Sequence, residues 1–585
     1  MSARGSFGPR RHAIRVVVVA AAALGLAACG GVPSNSSPQV VKRVGQQAQP
    51  SEVAVTPQPG EGPREIVSDF LSAVATADTN HTAALGFLTA DAQQRWSDAT
   101  VTVLQTDTIS NFDNGAIQVT GQKVGSVSIN GAYQPALQGG TTDATFGMTQ
   151  VKGQWRINTP PNGVILSEAS FEALYTQHPL YFFDLAEKHL VPDPRFTTLT
   201  DPALLATWLV AQLATGEVQA LSNAVTNELP TQTDVNRVSV TIGNPTTVTL
   251  PGAGQLDSPT RNLLAAQLAI TLAQVPTVRS LQVIDTGRPV PIPRTGGTTF
   301  SALDFPELAN ESIPAPTLYY IRNGGVVDEN GHPLAGGVGS GTYGLGSAAV
   351  ASLGSGDLRV AGVSGSGANA RLLIGTLQGG LKPTSVHGQL SRPAWVPGRD
   401  EVWVGDGSGL RFCTLSLACR AAPLVPASSS LPGHESTIAA VRFSPEGARI
   451  AVVIDAPDGT AQVWIGAVVR TATQVSVDGL TQITPTGVFI RDVAWNDPLK
   501  LFVIGWADSS GTSGNVYEVQ VDGSLWTPRT IANLPGVPDS ITVAENEDAW
   551  VSSGSAGETV WVQRAGAWAS PSNGQTPGVN PVYLE

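Results

Sequence analysis

Cysteine and histidine are both scarce in this sequence. Its 585 residues include three cysteines, Cys29, Cys413 and Cys419, and seven histidines. A thiolate zinc site needs four cysteines, and the histidines have no ligand-like spacing. We therefore predict no metal site and no cofactor.

Positive charge is also in short supply. Lys plus Arg number 33 against 46 Asp plus Glu, which gives a net charge of −13, and no basic block follows residue 15. Nucleic-acid binding needs such a block, so it is not expected. Only 14% of the residues are charged, while Gly and Pro number 63 and 42. This composition is typical of turn-rich β structure, and the length predicts about four domains.

The first 28 residues have the pattern of an export signal. Residues 1–15 carry four arginines and no acid, and Val16–Ala28 is uncharged and apolar. That run is shorter than the roughly 20 residues of a membrane-spanning helix, which disfavours a retained anchor. Leu26–Cys29 resembles a bacterial lipobox and predicts cleavage between Ala28 and Cys29. Cys29 would then carry an S-diacylglycerol and an N-palmitoyl group. The alternative is an ordinary signal peptide with an incidental cysteine.

Residues 29–62 are rich in Ser, Pro, Gln and Gly and are predicted to form a flexible tether. Residues 63–170 are predicted to form an α+β domain. A helix is expected to begin just after Pro63 and a second one to cover Ala83–Leu88. Predicted strands follow at Ile117–Thr120, Gly125–Ile129 and Val151–Ile157. This order of elements is similar to that of domains related to nuclear transport factor two.

Residues 171–300 are predicted to form a second α+β domain. Leu180–Asp184 has the composition of a strand, and apolar spacing predicts a helix that ends near Gly216. Two strands are expected to pair across Gly243–Pro245, and a longer helix to start at Ser258. Val278–Ile284 is predicted to be the last strand.

Residues 315–585 contain a repeat. Ala351, Trp395, Phe443, Trp495 and Val543 occupy equivalent positions at spacings of 44, 48, 52 and 48 residues, each between two strand-like segments. Four-stranded propeller blades repeat at such intervals. Five blades are evident. The segments Leu318–Ile321 and Val582–Leu584 could close the ring and complete a sixth.

Within this repeat, nine of the twelve tryptophans occur from Trp395 onward, and we interpret them as packing between blades rather than as a sugar platform. Cys413 and Cys419 could form a disulfide in a hairpin, the alternative being two buried thiols. Gly339–Gly344 matches G-x-G-x-x-G but follows no strand and opens no helix, so it is not interpreted as a dinucleotide site. His434, before a segment that resembles a WD40-like or TolB-like blade, is interpreted as a turn residue.

The order of these modules resembles the actinobacterial LpqB lipoproteins. The second domain resembles the germination protein GerM, and the residues that carry this likeness are Leu180–Asp184, Pro192–Arg195, Asn223–Val225 with Leu229–Pro230, and Leu264–Leu272. The resemblance implies a lipid-anchored protein on the extracytoplasmic face of the cell membrane. It also implies action on the sensor kinase MtrB and its response regulator MtrA, in control of the cell wall and division.

The resemblance carries no catalytic residue, and we predict that the chain is not an enzyme. Two other classes stay open. One is an envelope glycan or small-ligand binder, or an enzyme, that uses the propeller channel; the other is a structural scaffold of the cell wall. Clustered acids at the channel mouth would favour the first class, whereas an apolar patch on the GerM-like domain would favour a protein partner.

Overall fold

The computed structural model describes residues 55–585 apart from 77, 79, 137–139, 232, 309–315, 354–355, 408, 428–430, 432–435, 457–458, 486, 507–513, 530–537, 546, 554–557, 565 and 572–575. The predicted signal peptide, Cys29, the tether up to residue 54, and His434 lie outside the described residues.

The first domain packs helices against a mostly antiparallel sheet. Helix α1 (Pro63–Val74) has Pro63, expected just before the helix, as its first residue, and it buries Ile66, Val67 and Phe70. The sheet has the strand order β5-β4-β2-β1-β6, with β3 paired to β2 and β6 parallel to β1. The other elements are α2 (Thr82–Leu85), α3 (Ala90–Arg95), β1 (Val101–Asn111), β2 (Ile117–Val127), β3 (Tyr133–Pro135), β4 (Thr141–Val151), β5 (Gln154–Thr159), β6 (Val164–Ser167) and α4 (Glu168–Leu174).

Three sequence-based boundaries in this domain are wrong. The two segments predicted as strands at Ile117–Thr120 and Gly125–Ile129 are one continuous strand, β2, and the helix predicted over Ala83–Leu88 stops at Leu85. Val151–Ile157 is a hairpin rather than a strand. Lys152 and Gly153 have φ of 52° and 77°, so this two-residue turn reverses the chain between β4 and β5.

The second domain is α+β, as predicted. Helix α5 (Pro202–Thr215) is capped by Asp201 and ends at Gly216, and α6 (Ser258–Leu272) is capped by Asp257. The domain has two small sheets of order β8-β7-β9 and β10-β11-β12-β13, with β14 paired to β12. Their strands are β7 (Thr176–Asp184), β8 (Leu190–Thr197), β9 (Val225–Thr226), β10 (Ser239–Thr241), β11 (Thr246–Thr249), β12 (Leu281–Asp285), β13 (Arg288–Pro289) and β14 (Thr299–Phe300).

Six sheets follow one another as propeller blades. Blade 1 consists of β15 (Leu318–Arg322), β16 (Gly325–Asp328) and the last strand, β38 (Val579–Tyr583), and α7 (Gly336–Gly339) leads to blade 2. Blade 2 has β17 (Leu345–Ser352), β18 (Leu358–Ser364), β19 (Arg371–Thr376) and β20 (Gly380–His387). Blade 3 has β21 (Ala394–Trp395), β22 (Val402–Gly405), β23 (Leu410–Cys413) and β24 (Cys419–Ala422).

Blade 4 carries a fifth strand. Its order is β26 (Thr437–Phe443), β27 (Arg449–Asp455), β28 (Ala461–Arg470), β29 (Val475–Gln482) and, parallel to β29, β25 (Leu424–Pro426). Blade 5 has β30 (Phe489–Asp497), β31 (Lys500–Trp506), β32 (Asn515–Gln520) and β33 (Thr527–Arg529). Blade 6 has β34 (Ser540–Thr542), β35 (Trp550–Ser553), β36 (Thr559–Arg564) and β37 (Ala567–Ala569).

The ring closes through β38. This strand pairs with β15, with Leu318 opposite Tyr583, and contacts the first strands of blades 2 and 6, β17 and β34. The first strand of each of blades 2 to 6 thus lies innermost, around a shared axis, and β38 takes this place in blade 1. The fold class predicted from the sequence, two α+β domains followed by an all-β propeller, is confirmed.

The GerM-like domain packs directly on the propeller. Ala448, Ala467 and Val469 of blade 4 belong to its hydrophobic core cluster. The Arg449 guanidinium of the same blade donates a 3.0 Å hydrogen bond to the Pro192 carbonyl. Gly479 lies against Ala220 so closely that a Cβ there would be 2.5 Å from the Ala220 oxygen. The two domains therefore share one core.

Candidate functional site

Charged side chains from three parts of the ring meet at its centre. Asp492 on β30 forms ion pairs with Arg392, which precedes β21, and with Arg442 on β26, the latter at 3.4 Å. The Ile541 N–H of blade 6 donates a 2.8 Å bond to the same carboxylate. All three side chains are at most 16% exposed. Burial and the neighbouring Arg392 lower the pKa of Arg442 to about 10.

Glu585 adds a second carboxylate to this centre. Its Oε2 accepts a 2.6 Å hydrogen bond from the Trp395 N–H, and its backbone bonds to Val350 and Ser352 of blade 2. Burial raises the pKa of Glu585 to about 7, against the opposing effect of the Trp395 N–H and the arginines. Charged side chains of the protein's own therefore lie at the centre of the ring, where their contacts connect different blades.

A second buried polar group lies where all three domains meet. Arg195 and Asp193 of the GerM-like domain are fully buried and pair at 2.5 Å. Burial raises the pKa of Asp193, and it raises that of the nearby Asp522, on the β32–β33 turn of blade 5, to about 6. Asp522 accepts bonds from Ser524, but its Oδ2 has no partner. Tyr133 of the first domain lies near this group, and burial, with a smaller effect of the Asp522 charge, raises the pKa of its hydroxyl.

A cleft separates the β7–β8 hairpin of the GerM-like domain from blades 3 and 4. Its wider part has a volume of about 490 Å³ and is lined by Leu185, Asn223, Val425 and Gln474, among others. Its narrower part, about 150 Å³, is lined by His189 and by charged side chains of both domains, namely Asp184, Lys188, Arg399, Glu446 and Arg470. Leu185 and Arg470 belong to both parts, so the two are continuous. We call this the interdomain cleft.

An apolar patch lies at the border of the two α+β domains. Leu204 on α5 is 59% exposed, and Ile129 in the β2–β3 turn is 75% exposed. Trp208 lies one helical turn after Leu204. A Cβ at Gly131 would be 2.9 Å from the Trp208 ring, which places the β2–β3 turn against this helix. Ile129, Leu204 and Trp208 form what we call the apolar patch.

Three protein-family models match successive parts of the chain. "Lipoprotein LpqB, N-terminal domain" matches residues 56–172, "Sporulation and spore germination" matches residues 179–290, and "Lipoprotein LpqB beta-propeller domain" matches residues 324–583. A protein named Lipoprotein LpqB from Mycolicibacterium smegmatis is 30% identical over 76% of this chain and 79% of its own length. The chain belongs to the LpqB lipoprotein family.

Other similar proteins cover different shares of the chain. Lipoprotein LpqB of Nocardia farcinica is 27% identical over 92% of this chain and 91% of its own. Among solved structures, TolB from Acinetobacter baumannii is similar at a TM-score of 0.33 and 11% identity, over 53% of this chain and 84% of its own. The tandem GerMN domains of GerM from Bacillus subtilis give a TM-score of 0.19 and 18% identity, over 25% and 55%.

Membership of the LpqB family makes the chain a membrane-anchored envelope lipoprotein, and the family names describe no reaction. No helix in the described part of the chain is long and apolar enough to span a bilayer. Within the same residues, no three His, Cys, Asp or Glu side chains are grouped as metal ligands would be.

The other motifs singled out in the sequence have structural roles. Trp395, Trp403, Trp464 and Trp568 are among its most deeply buried side chains, so the interpretation of such tryptophans as packing residues is confirmed for them. Cys413 and Cys419 face each other across the β23–β24 hairpin and form a disulfide. Gly339–Gly344 runs from the end of α7 to the turn before β17, which is not the strand–loop–helix context of a dinucleotide site.

Sequence reasoning missed the central charges, the cleft and the three-domain junction. One local signal existed: Asp492 stands in a strand whose neighbours Ile490 and Val493 are buried. An acid in such a strand needs a partner. Nothing in the sequence identifies Arg392, 100 residues earlier in the chain, as that partner.

Proposed function

We propose that this protein is an extracytoplasmic lipoprotein, anchored through Cys29, that binds the extracytoplasmic domain of an MtrB-like sensor histidine kinase. Through the kinase it changes the output of the response regulator and so affects envelope homeostasis and division. Family membership supports the lipoprotein part of this proposal. The apolar patch is the observation that favours a protein partner.

The physical basis for a protein contact is the chemistry of that surface. Exposed Leu204 and Ile129 flank an aromatic ring, and such amphipathic aromatic groups are enriched at protein interfaces. The channel, by contrast, holds ion pairs between the protein's own arginines and acids. This arrangement favours a surface-mediated function over one in the channel.

A lipid anchor with a flexible tether suits weak binding to a membrane partner. Confinement to the membrane surface raises the effective concentration of the kinase around the patch without any additional contact. Regulation further requires that the patch bind one kinase state more tightly than the other, since equal affinity shifts no equilibrium.

The test is site-specific photo-crosslinking in intact cells, with a crosslinker placed at Thr207 on α5, directly before Trp208 of the patch. Captured proteins are identified by mass spectrometry in the unaltered chain, in Cys29→Ser and in Leu204→Glu. Leu353→Glu serves as the matched control, because Leu353 is an exposed leucine on blade 2.

We expect the kinase to be captured by the unaltered chain and by Leu353→Glu, and capture to fall at least fivefold in Cys29→Ser and in Leu204→Glu. Absence of the kinase from all samples, with wall glycan or an unrelated enzyme captured instead, would overturn the proposal. Equal capture by Leu204→Glu and Leu353→Glu would show that the patch is not the contact.

A further inference from the structure

We propose that the interdomain cleft binds a phosphate-bearing polyol. Lys188 and Arg399 hold the phosphate in the narrow part, and the amides of Asn223 and Gln474 contact hydroxyl groups in the wide part. This site is separate from the apolar patch and independent of the kinase proposal.

Some charged side chains of the narrow part are paired within the protein, but two of its cations are not. Arg470 is neutralised by Glu401, whose carboxylate lies 2.8 Å from the guanidinium. Glu446 is paired with Arg449 at 3.0 Å. Lys188 and Arg399 have no hydrogen-bond or ion-pair partner for their side chains among the described residues.

Asp184, an acid of the same lining, accepts hydrogen bonds from the backbone. Asp184 Oδ1 accepts the N–H groups of Lys188 and His189 at 2.7 and 2.9 Å. These bonds fix the conformation of the β7–β8 turn, and with it the backbone position from which the Lys188 side chain extends over the cleft. Two cations from different domains thus line a space of about 150 Å³ in a protein of net charge −13. An oxyanion is the ligand that such a pair recognises.

The side chains that line the wide part indicate which chemical group the ligand carries besides the oxyanion. Its volume of about 490 Å³ lies within the usual size of small-molecule sites, and it opens at a domain interface, where such sites are frequent. Exposed Asn223 and Gln474 offer amide donors and acceptors. Leu185 and Val425, 46% and 45% exposed, offer apolar contact. A polyol such as glycerol or a sugar, which carries hydroxyl groups on a carbon skeleton, matches this combination of amide and apolar side chains.

Two sources share this chemistry, a soluble or polymer-borne polyol phosphate and the headgroup of a glycerophospholipid. Binding of sn-glycerol 3-phosphate is measured by titration calorimetry, with glycerol as the uncharged comparison. Sedimentation with phosphatidylglycerol vesicles, against phosphatidylcholine vesicles, tests the headgroup. The protein is the chain from residue 29 with Cys29→Ser, so that no acyl group contributes.

The variants separate the cleft from general charge effects. Lys188→Ala with Arg399→Ala removes both cations of the cleft. Lys382→Ala with Arg371→Ala removes the same charges from exposed positions on blade 2, where neither side chain forms an ion pair with another described residue. A thermal melt of each variant verifies folding. In the unaltered cleft, bound ligand should also raise the melting temperature, because it links two domains.

We expect saturable binding of one of the two probes, at least tenfold weaker in the cleft variant and unchanged in the blade 2 variant. Binding of glycerol phosphate alone identifies a free or polymer-borne phosphate, and binding of anionic vesicles alone identifies the headgroup. The proposal is overturned if neither probe binds, if glycerol binds as well as its phosphate, or if both double variants lose affinity equally.

Discussion

Single buried charges determine how this protein responds to pH and to substitution. At the junction of the three domains, Asp522 is buried beside Asp193, and its Oδ2 lacks a partner. At the channel, Asp492 balances two arginines. The two carboxylates therefore affect stability in opposite ways. The buried charge of Asp522 is unfavourable, whereas that of Asp492 balances the two arginines.

Asp522→Asn is expected to stabilise the protein at neutral pH. The pKa of Asp522, about 6 in the folded protein, lies above its ordinary value of 3.8. The folded state therefore binds the proton more tightly than the unfolded state does. The resulting contribution to the free energy of unfolding is present at low pH and is lost as pH rises through 6. At pH 7.5 the ionised group costs about 3 kcal/mol, which asparagine avoids while still accepting from Ser524.

Urea unfolding at pH 5 and pH 7.5 measures this effect. The gain from Asp522→Asn should be larger at pH 7.5 than at pH 5. Asp107→Asn, at an exposed position on β1, should change stability equally at both values. A gain from Asp522→Asn that does not depend on pH would contradict the assignment.

Asp492→Ala should destabilise the propeller strongly. Its removal leaves Arg392 and Arg442 buried without their carboxylate, which costs about 3–5 kcal/mol. Asp406→Ala breaks the more exposed ion pair with Arg411 and should cost no more than about 1 kcal/mol. Equal midpoints for the two variants in chemical denaturation would show that the central ion pairs are not needed for stability.

At the scale of elements, the outer strands of blade 4 hold the GerM-like domain on the propeller. The β28–β29 hairpin of blade 4 contacts residues 219–221 of the GerM-like domain, with Gly479 against the Ala220 backbone. Gly479 has φ of 65°, which residues with a side chain rarely adopt, and a Cβ atom at this position would clash with the Ala220 backbone.

Gly479→Ala should therefore weaken the contact between the GerM-like domain and the propeller. Gly487→Ala is the matched control, because Gly487 has φ of 81° but no atom within 4 Å of its would-be Cβ. Backbone strain of about 1 kcal/mol is common to both variants. We expect an additional loss of at least about 1 kcal/mol and faster proteolysis between the domains only in Gly479→Ala. Identical behaviour of the two would contradict this interface.

At the scale of the whole molecule, the last strand closes the ring. Strand β38 supplies the innermost strand of blade 1 and pairs with β15, which comes from the opposite end of the propeller sequence. Deleting residues 579–585 would leave β15 as an open edge and remove Glu585 from the channel. Exposed edges are templates for association.

We expect this deletion to produce oligomers or aggregates in size-exclusion chromatography and to lower the midpoint of thermal unfolding. Glu585→Gln, which keeps the strand and the Trp395 contact, should remain monodisperse. A deleted chain that elutes and melts like the unaltered one would show that ring closure by β38 is dispensable.

Local patterns determined much of this architecture. Caps and prolines placed the helix starts at Pro63 and Ser258, and the spacing of Trp395, Phe443 and Trp495 gave the blade repeat, because helix ends and blade periods depend on residues close in sequence. Hairpin limits near Lys152 were less predictable, since a two-residue turn leaves only a short signal between two strands of mixed polarity.

The tertiary structure alone decided which distant residues share a site. Arg392, Arg442 and Asp492 meet because closure of the ring brings the innermost strands around one axis. Lys188 and Arg399 line the same cleft because the GerM-like domain packs on blades 3 and 4. Such neighbours depend on the arrangement of whole domains, and local patterns within a strand or helix do not specify that arrangement. The sequence by itself therefore determined the elements and their order, while packing of the domains decided the channel, the junction and the cleft.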